Sequence, residues 1–584
     1  MTVSSTLDRS EPGGRHRPGS SDWVPHRLLD PGRIPIVMCL AGLVAWWIGC
    51  SGVHPRNADG WGLAATLTWP VWLGIALTAV AVVVAVLRTA GRLTVLAATG
   101  VLVVELYGLQ PFTEGRPRTT TAWLHLGFAD HFATLGAPAE GIDARFSWPG
   151  FFAWWGMLSD AGAKDGLIAI ANWTPVAMAV ICAVLVCQLA RSLGASPRSA
   201  QLATLLFVVL NWIEQDYFSP QATAYVLALG AVVIALGTAR GGRRERAAAQ
   251  VFLPLVIVAI VVTHQLTPAM LGLQLVAIAV CRFARVGPMI WVVIAVELTW
   301  FVVGAHEFWG GQQLGLMTGG LGDVRASLGS NLTARIDAVD SGVATIRRLR
   351  LVIFLATLAL GGWGLLIRWR ARRPLLLPTL LALAPAATVI QGYGGEMFMR
   401  CAFFALPPLA VLGGEAIEAV ATHRLRAARA VPYLVVVAAA AALVLLRGGN
   451  DGFSYISRAE TRLVDAALSA TKTGDTMLLA TEQGPVRTSR VADIKWRNLT
   501  GLCGPSPDRP PLTLSECTEL RQPTTVVVTR SMARWGEIVA GRKPDWADAQ
   551  IRIILGTRRY SMLARNRDGV VLERNKPGRK WSRR

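Results

Sequence analysis

Long apolar runs alternate with short polar segments over the first three quarters of this chain. A bilayer core offers backbone groups no water, so a crossing segment must be helical, and about 20 apolar residues span the hydrocarbon. The pattern predicts a polytopic α-helical membrane protein with about 13 transmembrane helices. They are placed at 34–53, 66–87, 93–111, 166–190, 200–213, 221–238, 251–264, 267–281, 287–304, 351–367, 374–391, 401–419 and 431–446. The runs at 200–213 and 251–264 are short and would need neighbouring residues or a thinner membrane.

Arginine marks every second gap between these runs. With the N-terminus in the cytoplasm, every inner loop carries arginine, whereas the short outer turns at 54–65, 214–220, 264–266 and 392–400 carry almost none. This positive-inside pattern predicts a multi-pass protein of the plasma membrane whose C-terminal domain is extracytoplasmic. Arg347, Arg348 and Arg350 are the exception, since they lie at the outer end of the tenth run. They close a long loop, where the rule is weaker.

The two ends of the chain differ from its apolar region, 34–446. Residues 1–33 are polar and lack the apolar core of a signal peptide, which predicts a disordered cytoplasmic tail. Residues 447–584 are predicted to form a soluble α/β domain. Its strands are expected at 476–479, 525–528 and 551–554, its helices at 455–472 and 531–541, and a hairpin within 560–573.

Two cysteines lie outside the apolar region, Cys503 and Cys517. Since an outer domain faces an oxidising compartment, they are predicted to form a disulfide. The six other cysteines lie within apolar runs and are expected to be packing residues. Their spacing gives no metal-binding signature.

Composition fits a membrane protein, with 53% hydrophobic and 16% charged residues. The net charge of +21 could also suit a nucleic-acid-binding protein. Much of the excess lies in loops predicted to be cytoplasmic, where topology and anionic lipid account for it. No nucleic-acid motif accompanies it, so we expect no nucleic-acid partner. Motifs for nucleotide-driven transport or serine hydrolysis are also missing.

The loop 112–165 gathers ionisable and aromatic residues on the predicted outer side. Residues 121–135 are predicted to form an amphipathic helix that carries His125 and Asp130. Pro149 is predicted to start a second helix, which lies in the membrane interface. Asp143 and Trp148 lie between the two helices. Each residue could be only a helix cap or an anchor, but the constellation favours a functional site.

Three other outer turns hold polar side chains that are costly at a membrane face. They contain Asp216, Tyr217 and Gln221 in the first turn, His264 in the second, and Glu396 and Arg400 in the third. A guanidinium suits bidentate phosphate binding, which makes Arg400 a candidate for holding a phosphate. Helix capping, or an ion pair between Arg400 and Glu396 one helical turn apart, is the structural alternative.

In these motifs the chain resembles the integral membrane glycosyltransferases of the GT-C superfamily, in particular poorly characterised actinobacterial members. The resemblance covers roughly residues 100–446 and rests on segments 148–152, 216–221, 264–268 and 393–396, with Arg400. It implies a polyprenyl-phosphate sugar donor from the outer leaflet and an acidic base in the first large outer loop. In the family this loop follows the first span. Here the loop after the first span is short and holds only Asp59, so the base is placed in 112–165.

Sugar transfer needs a base for the acceptor hydroxyl and positive charge for the departing phosphate. Asp143 is preferred over Asp130 as the base, with Asp216 and Asp59 next, and Arg400 would hold the phosphate. Asp216 and His264 would orient sugar hydroxyls or a divalent metal, which the chemistry permits but does not require. The other predicted substrate-binding residues are Glu396, Tyr217, Gln221, His125 and Trp148.

The expected partners are membrane lipid, the polyprenyl-phosphate donor, and an envelope glycan, lipid or protein acceptor. Two other classes of function fit the same sequence. A lipid-linked saccharide transporter or flippase would need a polar groove open to both sides. A non-catalytic envelope assembly protein would need no convergence of polar residues. One cavity shared by Asp130, Asp143, Asp216, His264 and Arg400 would favour the transferase.

Overall fold

The computed structural model describes residues 33–159, 164–310, 339–390, 397–505 and 510–575. Helices dominate the chain as far as Ser454. They are α1 Ile34–Ser51, α2 Trp69–Leu87, α3 Arg92–Tyr107, α4 Leu109–Glu114, α5 Thr120–Leu135, α6 Gly150–Leu158, α7 Lys164–Ser192, α8 Pro197–Leu210, α9 Pro220–Gly237, α10 Arg243–Thr263, α11 Thr267–Val280, α12 Gly287–Val303, α13 His306–Gly310, α14 Ser341–Arg370, α15 Leu376–Leu383, α16 Met397–Ala421, α17 Val431–Gly448 and α18 Asp451–Ser454. The predicted polytopic helical class is confirmed.

Eight helices of the described ranges are long and apolar enough to cross a membrane, and four apolar helices are shorter. The chain is therefore a multi-pass membrane protein, while the number 13 and the orientation stay predictions. The short run at 251–264 belongs to α10, which starts at Arg243 and has 21 residues, so it needs no thinner membrane. Hydropathy missed the first two turns of α10 because arginine and glutamate occupy them. The other short run forms α8, which has 14 residues.

Small residues let the membrane helices approach closely. A Cβ atom at Gly364 of α14 would lie 2.1 Å from the carbonyl oxygen of Leu412 in α16. A Cβ atom at Gly414 of α16 would lie 2.5 Å from the carbonyl oxygen of Ser199 in α8. Lipid tails are as apolar as side chains, so such close van der Waals contact is what holds helices together in a bilayer. The helix α16 is accordingly the most enclosed of the spans, with 78% of its apolar window buried.

The soluble domain contains a five-stranded sheet. Its elements are α19 Arg458–Ala470, β1 Thr476–Leu479, β2 Lys495–Asn498, α20 Leu499–Cys503, α21 Leu514–Arg521, β3 Thr525–Thr529, α22 Arg530–Ile538, α23 Trp546–Gly556, β4 Tyr560–Asn566 and β5 Gly569–Arg574. The strand order is β2-β1-β3-β5-β4, in which the first three strands are parallel and the last two form the predicted antiparallel hairpin. Cys503 and Cys517 form a disulfide that joins α20 to α21.

The strand predicted at 551–554 is wrong, because this segment lies in the middle of α23. A short apolar run does not by itself distinguish a strand from a helix. The helix buries Trp546 and Ile554 against the sheet, whereas Ile553 is 53% exposed. Strand β2 was not predicted, since the segment that forms it has few apolar residues.

The loop 112–165 and the soluble domain meet at one end of the helical bundle, which we call the outer end. A Cβ atom at Gly127 of α5 would lie 1.8 Å from the carbonyl oxygen of Arg487 in the soluble domain. The helix predicted at 121–135 is present as α5, and most of its residues are buried. The following helix, α6, begins directly after Pro149 and exposes Trp154 and Met157, as an interfacial helix would.

Candidate functional site

A cavity of about 270 Å³ lies at the outer end, between the membrane helices, the loop 112–165 and the soluble domain. Its walls come from the end of α3, from α4, from the starts of α5 and α7, from the turn before α9, from the end of α17 and from the loop after β1. We call it the outer cavity. The polar side chains that line it include Gln110, Arg118, Asn172, Glu214, Asp216, Arg447, Asp451 and Gln483.

Arg118 joins three parts of the chain across this cavity. Its Nη1 donates to both carboxylate oxygens of Asp451, at 2.9 and 3.1 Å, and its Nη2 pairs with Glu214. The second oxygen of Glu214 accepts from Nη2 of Arg350 at 3.1 Å. This pair explains why an arginine of the set 347–350 can lie at the outer end, because Arg350 neutralises the charge of Glu214 there.

Asp216 is held by a second buried arginine, Arg447. The two guanidinium nitrogens of Arg447 donate to the two carboxylate oxygens of Asp216, at 3.0 and 3.1 Å. Asn211 donates to the same carboxylate at 3.3 Å, and the guanidinium lies 4.5 Å from the ring centre of Tyr107. Both carboxylate oxygens of Asp216 are therefore engaged, and the pair joins the turn before α9 to the end of α17.

Glu114 lies behind the wall of the outer cavity and differs from the other acids. The Nε2 of Gln110 donates to one carboxylate oxygen at 3.0 Å. The other oxygen is buried and has no hydrogen-bond partner within the described ranges. Burial and the charge of Asp451 raise the pKa of Glu114 well above its ordinary value, although Arg118 opposes them. Glu114 thus has a high proton affinity and an oxygen open to a new partner.

Next to the outer cavity lies a second group of polar residues, His125, Tyr217, His264 and Arg400, which we call the histidine–arginine cluster. His125 donates its Nδ1–H to the carbonyl of Phe218 at 2.9 Å, and its ring stacks at 6.1 Å on Tyr217, which also lines the cavity. In the turn between α10 and α11, burial and then the charges of Arg400 and His125 lower the pKa of His264 to about 3. His264 is thus near enough to Arg400 to be affected by its charge, and the neutral His264 leaves the positive charge to Arg400.

Asp143 is engaged in a different way. Nε and Nη2 of Arg145 each donate to one of its oxygens at 2.8 Å, and Nη1 of Arg487 lies 3.6 Å away. Burial alone would raise the pKa of Asp143, but the bonds and charge of Arg145 and the charge of Arg487 hold it below its ordinary value. Since a strongly acidic, ion-paired carboxylate is a poor proton acceptor, this contact favours a structural role that joins the loop to the soluble domain.

The remaining predicted residues lie outside the outer cavity. Asp130 is half-buried on α5, Trp148 packs edge-on at 5.1 Å against Phe308, and Gln221 is buried in the first turn of α9. Asp59 caps a turn by accepting the amide of Trp61 at 2.8 Å. Glu396 lies outside the described residues.

Five residues were expected to share one cavity, and only Asp216 lines it. His264 and Arg400 belong to the neighbouring cluster instead. Tyr217 lies where the two sites meet, because its ring lines the cavity and also stacks on His125. The predicted polar turns therefore form two adjacent sites and not one.

Sequence reasoning missed Glu114, Arg118, Arg447 and Asp451. A usable signal was present for the arginines. Arg118 and Arg447 lie at the predicted outer end, where positive charge runs against the topological bias, and the same argument identified Arg400. The acids carried no such signal. Asp451 pairs with Arg118, which is 333 residues away, and Glu114 owes its raised pKa to burial and to the charge of Asp451.

Arginine side chains pair with the acids of the outer cavity. Arg118 binds Asp451 and Glu214, and Arg447 binds Asp216. Among the described residues, no group of three or more histidine, cysteine, aspartate or glutamate side chains could hold a metal. These guanidinium groups therefore supply positive charge to the outer cavity.

Comparison with known proteins identifies similarity to a solved structure. No protein-family model and no curated protein matches the chain. Among solved structures, the chain is similar to the crystal structure of ArnT from Cupriavidus metallidurans bound to undecaprenyl phosphate. The sequences are 12% identical, the TM-score is 0.47, and the match covers 82% of this chain and 97% of the other.

Proposed function

We propose that this protein is a membrane glycosyltransferase that moves a sugar from a polyprenyl-phosphate donor to an envelope glycan, lipid or protein acceptor at the outer face. The observation that carries the proposal is the outer cavity. It places buried carboxylates and arginines at the boundary between membrane helices and a soluble domain. A lipid-linked donor must be reached at this boundary, and its reaction needs a base and positive charge.

Glu114 is the proposed base. It belongs to the loop region in which the sequence resemblance places the catalytic acid, and it lies beside Gln110 and Arg118 of the cavity wall. Its raised pKa makes its carboxylate a stronger proton acceptor than an ion-paired one. It therefore replaces Asp143 as the first choice for removing the proton from the acceptor hydroxyl.

Arg400 is the proposed ligand of the donor phosphate. Its guanidinium lies beside the neutral His264, and a guanidinium binds phosphate oxygens in pairs. A donor at the histidine–arginine cluster and an acceptor in the outer cavity would meet at Tyr217, which contacts both sites. His125 and His264 would then donate or accept hydrogen bonds with sugar hydroxyls.

The outer cavity favours a transferase over the two alternative functions. A transporter needs a polar groove that reaches both membrane faces, whereas the parts of the membrane helices α3, α7 and α17 that line this cavity are their outer ends. An assembly protein needs no acids with raised proton affinity in or beside this cavity, whereas Asp451 lines it and Glu114 lies behind its wall, both with raised pKa. Such acids are typical of catalytic sites.

Transfer assays with purified protein and a panel of radiolabelled polyprenyl-phosphate sugars test the proposal. We expect Glu114→Gln to lower turnover about 10²-fold or more while the protein stays folded and binds donor. Folding should survive, because glutamine has the size of glutamate and its side-chain oxygen can still accept the hydrogen bond from Gln110. Glu140→Gln, which changes an exposed acid of the same loop, is the matched control.

The pH profile gives a second readout. A base must be deprotonated, so the rate of the wild-type protein should rise as pH rises through the raised pKa of Glu114. The residual activity of Glu114→Gln should not show this rise with pH. Normal turnover in Glu114→Gln, with loss in Asp143→Asn, would return the base to Asp143. Absence of sugar transfer from every donor would reject the transferase itself.

A further inference from the structure

A second and larger cavity opens at the end of the bundle away from the soluble domain. It has a volume of about 490 Å³ and lies between α3, α7 and α8, near the start of α3, the end of α7 and the start of α8. The outer cavity contacts the opposite ends of α3 and α7. We call the second cavity the arginine groove. Its lining includes Arg92, Leu96, Gly100, Val184, Gln188 and Arg191.

The walls of the arginine groove are apolar and open sideways. Leu96 of α3 is 60% exposed, and Val180 and Val184 of α7 are 43% and 50% exposed. Such side chains on transmembrane helices face lipid tails. Gly100 belongs to the lining, and a Cβ atom there would meet no atom within 4 Å, so this position leaves open space in the groove. Its shape and lining fit a flexible hydrocarbon chain that enters from the bilayer.

One end of the groove is strongly positive. Arg92 begins α3, and Arg191 lies in the last turn of α7. Arg88 and Arg198 lie within a few residues of the groove lining along the sequence. Arg92 has no hydrogen bond or ion pair to any residue in the described part of the chain, and Arg191 donates one bond, at 3.2 Å, to the carbonyl of Ala195.

No carboxylate lines the groove to balance this charge. Glu418 is the acid found near the start of α8, and it is engaged by the hydroxyl groups of Ser196 and Ser199. An apolar channel that ends in exposed guanidinium groups is complementary to a lipid with a hydrocarbon tail and an anionic headgroup.

We propose that the arginine groove binds an anionic phospholipid of the leaflet opposite the outer cavity. The phosphate lies between Arg92 and Arg191, one acyl chain fills the space beside Gly100, and Gln188 hydrogen-bonds the headgroup. The site is separate from the one proposed for sugar transfer. Its occupant fills the gap between α3 and α7, the two helices that also form part of the outer cavity wall.

Photolabelling tests this proposal. The wild-type protein is reconstituted in vesicles that contain phosphatidylglycerol or phosphatidylcholine with a diazirine in the acyl chain, and the labelled peptides are mapped. We expect phosphatidylglycerol to label residues 92–107 and 180–204 several-fold more than phosphatidylcholine does. The double variant Arg92→Ala/Arg191→Ala should lower phosphatidylglycerol labelling at least threefold, to the phosphatidylcholine level.

Two control variants distinguish lipid binding at this site from a general electrostatic attraction between arginines and anionic lipid. Arg243→Ala/Arg244→Ala removes two exposed arginines at the start of α10, outside the groove, and should leave the labelling unchanged. Gly100→Phe should block the groove and abolish the labelling, whereas Gly230→Phe in α9, where a Cβ atom also meets no atom within 4 Å, should not. Thermal unfolding checks that each variant is folded.

Three results would overturn the proposal. The first is equal labelling by the two lipids in the wild-type protein. The second is unchanged phosphatidylglycerol labelling in a folded Gly100→Phe variant. The third is displacement of the label by polyprenyl phosphate but not by unlabelled phosphatidylglycerol, which would assign the groove to a polyprenyl chain.

Discussion

The buried pair between Asp216 and Arg447 offers a sharp test of how the outer end is held together. The two side chains are 4% and 8% exposed, and they share hydrogen bonds of 3.0 and 3.1 Å. Arg447→Met keeps most of the side-chain volume but leaves the Asp216 carboxylate buried with only the amide of Asn211. Removing one partner of a buried pair costs about 3–5 kcal/mol, because the other charge stays without water or a counter-ion.

The magnitude can be checked from the individual contacts. Two hydrogen bonds to charged groups contribute about 1.5–3 kcal/mol each, and the contact of Arg447 with the Tyr107 ring contributes about 0.5–2 kcal/mol. Asp216→Asn should also destabilise the protein, since it leaves the guanidinium charge buried. The double variant removes both charges, so it should cost clearly less than the sum of the two single variants.

Equilibrium unfolding in mixed micelles, followed by far-UV circular dichroism as dodecyl sulfate is added, measures these costs. We expect a coupling free energy of about 2 kcal/mol or more between the two sites. The partly exposed pair of Arg490 and Asp493, whose atoms lie 3.5 Å apart, is the control and should give about 1 kcal/mol or less. Costs for Asp216 and Arg447 that add to within about 0.5 kcal/mol would refute the anchoring role.

Three further predictions concern the soluble domain and its orientation. Burial raises the pKa of Glu460 from 4.5 to about 7, so the folded domain holds this proton more tightly than the unfolded chain. That stabilisation is complete below about pH 4.5 and is lost as pH rises to about 7. Glu460→Gln should therefore reduce the fall in Tm between pH 5 and pH 8, and an unchanged fall would argue against this assignment. Replacing Cys503 and Cys517 by alanine should destabilise the domain by about 3 kcal/mol, and thiol labelling of unreduced wild-type protein should leave both residues unmodified. A phosphatase fused after residue 450 should be active and a cytosolic reporter there silent, with the reverse pattern rejecting the predicted orientation.

The sequence predicts the membrane helices well because their signal is local. An apolar run such as 69–87 indicates by its own composition that it lies in lipid, whatever other segments it contacts. The start of α10 was missed for the same reason, because its first turns are charged and extend beyond the apolar run. In the soluble domain, the hairpin at 560–574 was visible from its Asp568-Gly569 turn. Strand β2 has few apolar residues and no turn motif beside it that would indicate a strand.

The site is harder to predict, because its contacts join distant parts of the chain. Arg118 and Asp451 are 333 residues apart, and no sequence motif beside either residue indicates that the two form a pair. The sequence found Asp216 and Tyr217 from the crowding of polar residues in one turn. It proposed Asp143 as the base because the loop there could bring a carboxylate to an acceptor. The ion pair between Asp143 and Arg487, 344 residues later, is not visible in the sequence.

The contact between Arg118 and Asp451 also sets an order of events during biosynthesis. Membrane helices emerge from the ribosome one after another, and domains generally fold as they emerge, with N-terminal parts first. Glu114 and Arg118 are therefore in the membrane long before Asp451 has been translated. Until α17 is inserted and the soluble domain has folded, the cavity lacks one wall and half of its charge pairs. A ribosome that stalls before this point would release a chain whose arginines lack their partners, and quality-control proteases could recognise such a chain by that defect.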